Sequence, residues 1–170
     1  MKAILRFIFL FFVFLFLQVF LARNLELGWG AHLFLLPLFI MILPFETNIF
    51  ILMSLGFLQG ILADSIMNTY GLNASSLVLF AYLRPFVFKS FTPKEGYDVL
   101  KTPTLSDMGW TWFVFSYGSL LLMYVFWFFL VEIFSFREGL LILRNSFFSF
   151  AFSLIVALIL QLFFRKKALS

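Results

Sequence analysis

From Met108 to Val131 the chain reads MGWTWFVFSYGSLLLMYVFWFFLV, without one charged side chain. A helix rises about 1.5 Å per residue and the hydrocarbon of a bilayer is about 30 Å thick, so about 20 such residues cross it. This run decides the fold class: the segment is a membrane-spanning helix. The composition agrees, with 170 residues, 64% hydrophobic, 12% charged and a mean hydropathy of +1.08. Soluble domains are about half apolar and a quarter charged. There is too little polar surface here to coat a globule in water. That excludes a soluble enzyme and a disordered tail. It also argues against a nucleic-acid binder, despite a net charge of +4, because the basic residues follow membrane topology better than any soluble face. The expectation is an all-α polytopic membrane protein, one transmembrane domain over residues 1–170.

Outward from this run, the intervals between charges give Asn145–Phe164 after it, and Phe7–Ala22, Leu27–Phe45, Thr47–Ala63 and Ser65–Leu83 before it. The last contains the turn Asn68-Thr69-Tyr70-Gly71-Leu72-Asn73, so its helix is expected to start near Ala74 and run past Arg84 to about Phe88. The total is a bundle of about six helices. Pro44 ends the second, and Thr47 or Asn48 caps the third, forming a tight hairpin. Lys2 and Arg6 precede the first run like a signal peptide, but no small-x-small cleavage site follows, and we read it as a retained span. Gln18 alone interrupts its Phe, Leu, Ile and Val residues, the pattern of a lipid-facing helix.

Short-loop Lys and Arg residues set orientation. With both termini cytoplasmic, Lys2, Arg6, Arg84, Lys89, Lys94, Lys101, Arg165, Lys166 and Lys167 lie inside, against Arg23, Arg137 and Arg144 outside. Trp29, Trp110 and Trp112 fall at the expected interfaces. The cytoplasmic loop, about residues 89–107, reads as a solvated connector.

Charges in or beside spans are the default functional candidates, since each is costly in the bilayer unless paired or snorkelling. Depth allows Asp64 to pair with Arg144, and Glu46 with Arg84; snorkelling or structural pairing is the simpler account. Glu132 adds to the outer cluster. Gly56, Gly60 and Asp64 recur every four residues on one helix face, the spacing of close helix packing, within the bundle or onto a partner. Ser146, Ser149, Ser153, Ala157 and Gln161 form a small, mildly polar seam of the kind ordinary packing uses. Pro85 withdraws the donor for the Ala81 carbonyl, so a kink is expected beside Arg84. The chain has no Cys and a single His, His32, which removes thiol chemistry, disulfides and a His-based metal cluster. No phosphate loop, nucleophile elbow or metalloprotease motif occurs, and neither a cofactor nor catalysis is expected.

The ordered series Leu43-Pro44-Phe45-Glu46-Thr47, Gly56-Phe57-Leu58-Gln59-Gly60, Asp64, Gly71, Ala74, Leu83-Arg84-Pro85-Phe86-Val87 and Glu95-Gly96-Tyr97 resembles the rod shape-determining protein MreD family, in its Bacteroidota form. The resemblance covers about Leu43 to Asp98 and elsewhere rests on size, span number and a basic C-terminus. It implies a fold similar to the substrate-binding subunits of energy-coupling-factor transporters. It also implies a non-enzymatic subunit of the cell-elongation machinery in the bacterial cytoplasmic membrane. Such a subunit binds MreC and, through it, links MreB filaments to a RodA-type glycosyltransferase and its transpeptidase. The motif positions carried over are Glu46, Gly56, Gly60, Asp64, Arg84 and Pro85; Arg144 joins them as a candidate on charge alone.

Two other readings compete. A vitamin-type transporter subunit would need an outward polar pocket, for which Asp64, Asn68, Asn73 and Glu132 are the candidates. A small membrane enzyme would need Asp64 and Glu132 as a carboxylate pair.

Overall fold

The computed structural model describes residues 2–24, 28, 30–93, 96–97, 101–134 and 136–163. Trp29, Lys94, Glu95, Asp98, Arg165, Lys166 and Lys167 lie outside the described residues, as do the side chains of Lys2 and Arg23. The helices are α1 (Lys2–Asn24), α2 (Leu36–Ile42), α3 (Ile49–Met67), α4 (Leu72–Ser90), α5 (Leu105–Met108), α6 (Trp110–Ile133) and α7 (Gly139–Phe163). A 3-10 turn, Phe136–Glu138, leads into α7.

Four helices are long and apolar enough to cross a membrane: α1, α3, α6 and α7. The protein is therefore a multi-pass α-helical membrane protein. The other two expected spans take different forms. The fourth is the 19-residue α4, close to its expected limits, running through Pro85 and carrying Arg84 and Lys89 in its second half. The second was expected as one helix over Leu27–Phe45 and is not. Residues 32–35 have no regular structure, and helix begins only at Leu36, with Pro37 in its first turn. Helix α7 starts six residues before the expected Asn145, because Arg144 is exposed and solvates itself without ending the helix.

α3 packs most extensively on α4, α4 on α6 and α6 on α7, while α1 closes onto α3. The short α2 lies among α1, α3, α4 and α6. Its position follows from its sequence. Leu33 through Met41 is apolar in every direction, so no face suits water, and every one of these residues is buried. The outer helices instead divide their faces. Along α1, Ile8, Phe12, Phe16 and Phe20 are exposed while Phe14, Leu15 and Gln18 are buried. Exposed phenylalanine at this density is unremarkable against lipid tails and untenable against water.

Candidate functional site

An unwound segment inside a membrane bundle must find partners for its backbone groups, since hydrocarbon offers none. Here side chains supply them. The His32 amide donates to Ser149 Oγ at 2.8 Å and the Phe34 amide to Ser153 Oγ at 2.9 Å. Alternate amides of an extended chain are about 6.6 Å apart, and helical residues four apart are about 6 Å apart. Ser149 and Ser153 therefore meet His32 and Phe34 nearly in step. On the opposite side Gln18 acts like the peptide group of a neighbouring strand. Its Nε2 donates to the Leu33 carbonyl at 2.7 Å, and its Oε1 accepts from the Leu35 amide at 2.6 Å. Gln18 is 1% exposed and thus faces the bundle, on the side of α1 opposite its exposed Phe stripe. The serine seam is more than packing, for two of its members hold another segment's backbone.

The Gly56–Gly60–Asp64 face meets α4 of the same chain. A Cβ on Gly60 would stand 2.6 Å from the Ala74 nitrogen, and one on Gly56 would stand 3.1 Å from the Leu77 carbonyl oxygen. These two glycines bring α3 and α4 of this chain together. Asp64 then joins the hairpin chemically. Its Oδ1 accepts from the Asn73 amide at 3.0 Å, from Asn73 Nδ2 at 2.9 Å and from the Thr69 hydroxyl. Its Oδ2 accepts from the Ala74 amide at 2.9 Å. Gly71, the residue before α4, has no side chain to cap the helix, so a carboxylate from α3 does so. Tyr124 on α6 donates to Asn73 Oδ1 at 3.0 Å and extends the network to a third helix. The Asp64–Arg144 pair is not formed; Arg144 is exposed and bonds Asn145 Oδ1.

Glu46 and Arg84 do not pair either. Glu46 is exposed in the α2–α3 turn, where Asn48 rather than Thr47 caps α3 by accepting from the Phe50 amide at 2.8 Å. Arg84 is buried and Nη2 donates to the carbonyls of Met41, Leu43 and Pro44. These are the orphan acceptors at the end of α2, where the helix dipole is negative. The guanidinium also lies 4.6 Å from the Phe88 ring centroid. Pro85 is exposed on α4 beside it.

Two aromatic side chains, placed in the motif series and at an interface by the sequence, prove to contact each other. Tyr97 folds back from the loop and stacks on Phe45 with centroids 4.4 Å apart, and its hydroxyl donates to the Phe88 carbonyl at 2.5 Å. Trp112 Nε1 donates to the Phe91 carbonyl and to Tyr97 Oη. Burial raises the Tyr97 phenol above its ordinary value, opposed by hydrogen bonds from Trp112 and Thr92. Gln59 is a further tie, with Nε2 reaching the Phe11 carbonyl on α1 at 3.2 Å.

Of the residues offered for a solute, Asp64 and Asn73 bond each other, while Asn68 is exposed as the left-handed cap of α3. Glu132 is at the end of α6, near His32. Among the described residues no group of three or more His, Asp or Glu is placed to hold a metal ion. No protein-family model, no curated protein and no solved structure matches the chain.

Proposed function

We propose that this chain is a non-enzymatic membrane subunit of the bacterial cell-elongation complex, of the MreD type. In this reading it lies in the cytoplasmic membrane with both termini inside and six membrane segments, α2 and α4 included, in a fold similar to energy-coupling-factor substrate-binding subunits. It binds MreC and through it helps couple MreB filaments to the glycosyltransferase and transpeptidase that build peptidoglycan. One observation carries the proposal. Four of the six motif residues that prompt the family resemblance join α2, α3 and α4: Gly56 and Gly60 set the approach, Asp64 caps α4, and Arg84 closes the end of α2, while Glu46 and Pro85 are exposed. Such positions set the packing of the hairpin, and that role in the fold is what supports the reading. Partner binding then falls to surfaces the bundle leaves open, above all the Phe-rich outer stripe of α1.

The transporter reading draws less support, because two of its four candidate polar groups are bound to each other in the α3–α4 hairpin. The carboxylate-pair reading is weakened similarly, since both oxygens of Asp64 accept donors from its own hairpin. Affinity purification from the native membrane in mild detergent, with mass spectrometry of co-purifying proteins, tests the proposal. Near-stoichiometric MreC with the elongation synthases is the expected result. ATPase subunits accompanied by a retained small solute would overturn it in favour of the transporter.

A further inference from the structure

A cavity of about 270 Å³ opens between the α2–α3 turn and the end of α4. Its polar lining is Thr47, Arg84, Lys89, Thr92 and Tyr97, and its apolar lining includes Leu52 and Pro85. Two cations line it and, among the described residues, no carboxylate does. Glu46 is exposed nearby in sequence and makes no ion pair with either cation. Arg84 is 1% exposed; its hydrogen bonds all run through Nη2, and Nε is buried without an acceptor. Carbonyl oxygens satisfy donors but bring only partial charge, so a buried guanidinium held this way still favours a full anion beside it. The N-terminal end of α3, at the same end of the bundle, adds positive potential.

The surroundings specify the form of that anion. The cavity sits at the end of two helices, where lipid headgroups lie, and Phe50 and Phe86, close in sequence to its lining residues Leu52 and Pro85, are exposed as lipid-facing side chains are. An occupant with an anionic head and an apolar body fits both halves of the lining. We propose that this cavity binds the phosphate of an anionic phospholipid, with Arg84 and Lys89 on the phosphate and the acyl chains along Leu52 and Pro85. The inference is independent of the role in cell elongation.

The test uses the full chain in mild detergent with equal amounts of phosphatidylglycerol and phosphatidylcholine, read by native mass spectrometry. One phosphatidylglycerol per chain is expected to be retained in preference to phosphatidylcholine. Lys89 is exposed and makes no contact on which the fold depends, so Lys89→Gln is the primary variant. One lysine near a membrane surface corresponds to about a fivefold change in anionic-lipid binding, and retention should fall by that factor. Lys101→Gln, an exposed lysine outside the cavity, should leave it unchanged. Equal retention of the two lipids, or Lys89→Gln behaving as wild type, overturns the proposal. Displacement of lipid by millimolar inorganic phosphate also overturns it and assigns the site to free phosphate.

Discussion

Replacing Gln18 by Leu removes one side chain of similar size and leaves two backbone groups alone in the bundle. The Leu35 amide loses its acceptor at 2.6 Å, and the Leu33 carbonyl loses its donor at 2.7 Å. Leu33 and Leu35 are 3% and 0% exposed, so water does not substitute without entering the core. Each buried group left unsatisfied costs about 1–3 kcal/mol, giving about 2–6 kcal/mol for the pair. Burying the leucine side chain returns about 1.5–3 kcal/mol. The net change then lies between about a 1 kcal/mol gain and about a 4.5 kcal/mol loss, and a loss is expected because the segment has no alternative helical pairing. Reversible unfolding in mixed micelles, followed by circular dichroism as the denaturing detergent fraction rises, measures it. Gln18→Glu serves as a second variant: it keeps the acceptor for Leu35 and loses the donor for Leu33. A stability for Gln18→Leu equal to or above wild type would refute the argument that this side chain stands in for a strand.

Four further outcomes follow from the same geometry. Gly60→Ala places a Cβ against the Ala74 backbone and should cost about 1–3 kcal/mol by overpacking, measured by thermal unfolding; a wild-type midpoint would mean the hairpin is looser than its contacts. Asp64→Ala should lose more than Asp64→Asn, by about 0.5–2 kcal/mol, because asparagine retains one acceptor for the α4 amides, and equal losses in the same unfolding assay would count against the cap. Ser153→Ala should cost about 1–3 kcal/mol and Ser149→Ala less, because His32 is exposed where Phe34 is buried; they should speed hydrogen exchange at Phe34 and His32 respectively, with unchanged exchange arguing against the pairing. The Tyr97 phenol is raised in the folded protein, so the native state holds its proton where the unfolded chain has released it; stability is complete below about pH 10 and falls above it. Tyr97→Phe should remove the share of alkaline loss due to Tyr97, seen as a smaller drop in unfolding midpoint than wild type above about pH 10.

The membrane class, the hairpin at Pro44, the Asn48 cap and the limits of α4 were legible because each rests on local rules: apolar length, proline, a capping side chain and turn residues. The break in the second segment was not. Leu33 to Met41 reads as continuous helix by composition, and only side chains from α1 and α7 make its extended start affordable in the membrane. Gln18 was the available signal, a lone amide in a run of phenylalanine that would be wasteful against lipid. Serines four apart on α7 were the other. The charge pairs failed for a related reason. Depth in the bilayer says which groups share a level, and says nothing of which backbone donors or acceptors compete for them. Asp64 found unpaired amides at the start of α4 and Arg84 found unpaired carbonyls at the end of α2, each closer at hand than the opposite charge.

The serine contacts to the unwound segment also set a clock on biosynthesis. His32 and Phe34 leave the ribosome 117 and 119 residues before the hydroxyls that satisfy them. At about 5–20 residues per second, that interval is roughly 6–24 seconds. Throughout it the insertion machinery must shelter a nascent segment whose amides have no permanent acceptor, or hold it as a provisional helix that unwinds when α7 arrives. Helix α7 is therefore the latch of the unwound segment.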